Sequence, residues 1–156
     1  MVVGGFGQPA GVLRYEARST ADPATAWALL ARPEEWPAWA PHLRGAWGLA
    51  DPATGEVERG RRGAVRLLGV VPVPATITAK DDGRSWTWRV GAAVDMEHRV
   101  DPRADGCAVV ITISAPAPLE QALRATYGPV VALLLRRLSR TAAARPRPTR
   151  TGTPRG

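Results

Sequence analysis

A chain of 156 residues, 45% hydrophobic and 22% charged, is long enough for a single domain with a real core. Its one cysteine, Cys107, excludes an internal disulfide and a cysteine-based zinc site, and no apolar run approaches the roughly 18 residues of a membrane span. The net charge of +7 invites nucleic acid, yet residues 1–120 hold 13 basic and 14 acidic side chains; the excess is eight arginines after Glu120.

The domain is therefore close to neutral, and nucleic acid is not expected as its partner. Residues 1–11 read as a flexible start. They have neither the basic beginning nor the long apolar stretch of a secretory signal, so a cytoplasmic location is expected. Val12–Ser19 alternates Leu13, Tyr15 and Ala17 against Arg14, Glu16 and Arg18, a half-buried strand. Asp22 and Pro23 then open a short helix, Ala24–Ala31, with Trp27 and Leu30 inward. Pro33 stops it and starts a second short turn through Glu34, Glu35 and Trp36. Pro37 and Pro41 predict an extended or turn-like path for WPAWAPH.

Leu43–Leu49 is a weak strand bearing Trp47, and Asp51–Gly60 a loop. Strands are expected at Arg62–Val71 and Val73–Lys80, joined near Pro72 and Pro74. Asp82-Gly83 marks a tight hairpin. Ser85–Val90 sets Trp86 and Trp88 against Thr87 and Arg89. Ala93–Val100 sets Val94, Met96, His98 and Val100 against Asp95, Glu97 and Arg99. After a turn at DPRADG, Ala108–Ala115 completes an antiparallel meander, so the class is α+β.

The last ordered stretch, Pro118–Ala144, repeats apolar residues every three or four positions. Gly128-Pro129 interrupts it. An interior proline costs a helix about 3 kcal/mol and glycine about 1, so the stretch is either two helices or one bent helix around which the sheet wraps. Residues 145–156, rich in Pro, Gly and Thr with no apolar anchor, read as a disordered basic tail.

The segments DPATAWALLARPEEWPAWAPHLRG (22–45), DDGRSWTWRV (81–90) and MEHRVDPRADGCAVVITI (96–113), followed by the closing helix, resemble the START-like, Bet v 1-like superfamily, SRPBCC or polyketide cyclase/dehydrase and lipid transport. The resemblance spans roughly residues 12–143. It implies a helix-grip fold: about seven curved antiparallel strands around a long C-terminal helix, with two short helices after the first strand. It also implies a cavity between sheet and helix. Members bind lipids, hormones, polyketides or peptides, or catalyse cyclisation, so function stays open.

No phosphate loop, H-E-x-x-H or G-x-S-x-G is present, and the two histidines, His42 and His98, are 56 positions apart without an obvious third ligand. Neither metal nor cofactor is expected. His98, on the inward face of its strand, is the leading titratable candidate, with a satisfied core histidine as the alternative. Tyr127, beside the break, either donates a hydrogen bond in the cavity or simply packs. Trp39, Trp86, Trp88 and Met96 are candidate wall residues, with Val130 and Leu134 facing them from the helix. Arg66 would bind an acid if buried, although an exposed arginine is the plainer expectation. Two readings follow: a monomeric or homodimeric binder of a hydrophobic small molecule, or a cyclase or dehydratase using His98 and Tyr127 for proton transfer.

Overall fold

The computed structural model describes residues 11–67 and 70–146. Seven strands, β1 (Gly11–Ser19), β2 (Leu43–Trp47), β3 (Arg62–Leu67), β4 (Val71–Asp81), β5 (Ser85–Val90), β6 (Val94–Arg103) and β7 (Gly106–Ala115), form one sheet. The order is β1-β7-β6-β5-β4-β3-β2 and each pair is antiparallel. Between β1 and β2 lie α1 (Pro23–Ala31), a 3₁₀ turn (Pro33–Glu35) and α2 (Trp36–Trp39). After β7 come α3 (Ala117–Thr126) and α4 (Gly128–Ala144). The α+β helix-grip expectation holds in class, strand number and element order.

The meander follows from its local chemistry. Gly83 takes φ 74° in the β4–β5 turn, the left-handed conformation a tight hairpin asks of one residue. Trp86 and Trp88 then share the buried face with Met96, His98 and Val100, as their alternation requires. The β3–β4 turn comes earlier than the prolines suggested. Pro72 and Pro74 pair with Arg66 and Ala64 inside β4, beyond the end of the β5 ladder at Ala75–Val90. That stretch has a neighbour on one side only, where a missing N–H is tolerated as on an edge. Gly11 already belongs to β1, opposite Ala115. Residues 1–10 and 147–156 lie outside the described residues, and with them most of the expected flexible start and basic tail. Arg145 itself pairs with Glu35 at 2.7 Å.

WPAWAPH departs from its expected extended path: Trp36–Trp39 is a helical turn. Pro37 falls in its first turn, where no N–H is needed. Trp36 and Trp39, three apart, both point inward and hold the turn to the end of α1. A helix leaves its last four carbonyls without internal partners. Here Ala28 accepts from Arg32 N at 3.3 Å, Leu29 from Trp39 Nε1 at 2.9 Å, Leu30 from Trp36 Nε1 at 3.0 Å and Ala31 from Val57 N at 2.9 Å. Burial of the two indoles therefore outweighs the usual bias of a residue preceding proline away from helix.

The closing stretch is two helices, with Tyr127 between them. Pro118 and Pro129 each occupy a first turn, where proline's fixed φ and absent N–H are harmless. Gly128 is buried, and a Cβ there would collide with the Tyr15 hydroxyl of β1, with Tyr15 Cζ 3.2 Å away. The glycine is thus a point of close approach between helix and sheet. From it α4 runs on against β1, β7, α1 and α2, burying Val131, Leu134, Leu135 and Leu138. Among the described residues no helix is long and apolar enough to cross a membrane.

Candidate functional site

Where α4 leans on β1 and β7, the opposite half of the sheet is filled by other means. One part is an aromatic cluster. Trp86 stacks on Trp36 with centroids 5.8 Å apart and on His98 at 3.9 Å, and Trp88 meets Trp36, Trp86 and His98 edge-on at 5.4–5.7 Å. The other part is an apolar recess of about 210 Å³. Every strand except β1 contributes to its wall, which ends at the α3–α4 junction. Val65 and Leu67 come from β3, Trp88 and Val90 from β5, Val94 and Met96 from β6. Ile113 closes one side, Leu123 and Tyr127 another, and His42 stands where the chain enters β2.

The chain matches the family model described as polyketide cyclase/dehydrase and lipid transport over residues 12–145. It belongs to that family. No curated protein matches the chain in sequence. Among solved structures, Ara h 8.0201 superposes with a TM-score of 0.69 at 12% identity, covering 87% of this chain and 99% of that one. A protein solved as the Aha1 dimer from Colwellia psychrerythraea gives 0.69 at 12% identity, with 86% and 97% covered. A Rhodobacter sphaeroides protein gives 0.65 at 17% identity, with 90% and 97% covered. At such identities the likeness is one of fold.

Within this polyketide cyclase/dehydrase and lipid transport fold the candidate residues separate. Trp88, Met96 and Tyr127 meet at the recess. His98 is 4% exposed and sits in the aromatic cluster, outside the lining. Burial lowers its pKa from 6.5 to about 3. The carbonyls of Trp86 and Met96 oppose that shift weakly, and Nδ1 makes no aligned hydrogen bond. Trp86 and Trp39 are likewise buried away from the recess, the first in the stack and the second on Leu29. Leu134 is core under α4, while Val130 is 37% exposed on its outer side. Arg66 is exposed and lies over the Trp47 ring, 5.7 Å from guanidinium carbon to centroid.

His42 is the recess residue that periodicity did not reveal, because it lies in a connection between Pro41 and Leu43. Its Nε2 is buried without a hydrogen-bond partner, and burial lowers its pKa. Burial also raises the Tyr127 phenol, which therefore stays protonated at neutral pH. A larger cleft of about 850 Å³ runs past Trp27, Glu56, Lys80 and Asp82. Four of its polar side chains already serve one another, while Arg32 Nε on the same wall is buried without a partner among the described residues: Glu56 accepts from Trp27 Nε1 and Lys80 Nζ at 3.1 Å each, and Lys80 reaches Asp82 at 3.0 Å. Such a pinned network ties the loop before β3 to β4. The recess, with its apolar walls, is the better ligand site. Among the described residues no group of three His, Cys, Asp or Glu is placed to hold a metal.

Proposed function

We propose that this protein binds a small hydrophobic molecule between its sheet and the α3–α4 junction. The observation carrying this reading is the recess itself: about 210 Å³ walled by Val65, Leu67, Val90, Val94, Met96 and their neighbours. Dense packing is the norm in protein interiors, so an unfilled apolar space costs stability unless something occupies it. Size narrows the ligand class. Drug-sized ligands use roughly 300–1,000 Å³, whereas an apolar cavity of roughly 150 Å³ takes a benzene ring. The occupant is therefore a one- or two-ring molecule, or one end of a longer one.

Membership of a family described by polyketide cyclisation, dehydration and lipid transport is consistent with either carriage or catalysis. Proton transfer by His98 and Tyr127 needs both groups at one ligand. Tyr127 lines the recess, whereas His98 lies in the stack with a pKa of about 3, which makes it a poor base at neutral pH. Binding is the reading we favour. Native mass spectrometry of protein purified from its own host should reveal a retained small molecule, and added naphthalene should bind the wild type. Val94→Trp, which fills the recess from its rim, should abolish both while keeping the wild-type circular dichroism spectrum. A wild type that retains nothing and binds no naphthalene ends this reading.

A further inference from the structure

We infer that the ligand is uncharged and carries a hydrogen-bonding oxygen, a phenol or ketone rather than a carboxylate or phosphate. This rests on the recess being the binding site. Among the described residues of its wall there is no Asp, Glu, Lys or Arg. An ionised group drawn inside would lose its water and find no counter-charge, a loss of several kcal/mol or more. The nearest lining group that can ionise to a cation is His42, and its burial favours the neutral ring.

The wall is nevertheless not indifferent to polarity. Two of its members hold buried nitrogens with no partner among the described residues, His42 Nε2 and Trp88 Nε1. Two more orphaned nitrogens, Trp86 Nε1 and His98 Nδ1, belong to the rings packed directly against Trp88. Buried polar atoms are nearly always paired in native proteins, and each unpaired one costs about 1–3 kcal/mol. Trp36 and Trp39, whose indoles find carbonyls at 3.0 and 2.9 Å, show that tryptophans elsewhere in this fold are satisfied. Unused hydrogen-bonding capacity thus lies within the wall itself, at His42 and Trp88, and in the two rings packed behind Trp88. Tyr127, protonated at neutral pH, adds a hydroxyl from the helix side. A single neutral oxygen on an apolar body would engage the His42 imidazole or the Trp88 N–H once that ring turns its buried nitrogen toward the recess.

Three probes of one shape separate the possibilities: naphthalene, 2-naphthol and 2-naphthoate, titrated by calorimetry at pH 7.5. The expected order is 2-naphthol about three- to tenfold tighter than naphthalene, and 2-naphthoate at least about a hundredfold weaker than 2-naphthol. His42→Phe and Trp88→Phe withdraw the nitrogens and should erase the advantage of 2-naphthol over naphthalene, both probes being titrated into the same variant. Equal affinity for naphthalene and 2-naphthol, or tight binding of 2-naphthoate, overturns the inference and leaves the recess as an apolar site. Failure of all three probes to bind the wild type overturns the binding reading beneath it. If His42→Phe melts well below the wild type, Trp88→Phe and the wild-type probe order still decide the matter.

Discussion

His98 shows how one side chain can be informative without touching a ligand. Its ring is neutral because it is enclosed by Trp86 and Trp88, and it takes a proton only near pH 3, against 6.5 in a solvated chain. Between those values the unfolded state binds more protons than the folded state. Stability therefore falls as pH drops through this window, by up to about 1.4 kcal/mol for each pH unit in its middle, where the unfolded histidine is protonated and the folded one is not. Urea unfolding from about pH 6 down to about 4.5 should approach that slope. His98→Phe, which preserves the stack on Trp86, should remove about that much of it. His42, also lowered by burial, contributes with the same sign and survives the substitution. An unchanged slope in His98→Phe would mean that the ring is hydrated and protonates freely. Alternation placed His98 inward correctly, but depth along the strand decides what an inward residue meets. Met96, two positions earlier, reaches the recess, and His98 meets tryptophan.

At the scale of elements, the two short helices depend on each other through hydrogen bonds that no local pattern announces. Trp39→Phe keeps most of the buried ring but leaves the Leu29 carbonyl without its indole donor. A loss of about 1–2 kcal/mol is expected, read as a lower urea midpoint at unchanged m-value. The break between α3 and α4 has an equally non-local cause. Gly128→Ala should cost about 1–3 kcal/mol by forcing Tyr15 or α4 aside. Tyr15→Phe, which withdraws the colliding oxygen, should recover part of that loss in the double variant. The glycine and proline themselves were plain in the sequence, as were the strand alternations and the Asp82-Gly83 hairpin. Their tertiary partners were not, since Tyr15 lies more than a hundred residues away and Leu29 accepts from an indole beyond an intervening turn. His42 escaped for a related reason: a connection has no period from which to read a facing direction.

For the whole molecule, the distribution of contacts matters more than the composition. One helix cannot cover a seven-stranded sheet, and α4 lies over the β1–β7 side. The remainder is closed by tryptophans and, beside them, left as the recess. A domain built this way should gain stability from its ligand by mass action. At 2-naphthol concentrations about a hundredfold above Kd the gain is about 2.7 kcal/mol, or roughly 5–10 °C in melting temperature for a chain of this size. Calorimetric scans of wild type and Val94→Trp in parallel should show the shift in the first and none in the second.

The contact of Trp88 with both the recess and the Trp36–Trp86 stack has an optical consequence. A molecule entering the recess touches one indole directly, and that indole is within 5.5 Å of two others. Occupancy would thus alter the emission of several coupled fluorophores at once. Trp47, 48% exposed on the far edge of the sheet, would supply most of the constant red-shifted background. With Trp47→Phe the protein becomes its own spectroscopic sensor, able to report an unlabelled and still unidentified guest.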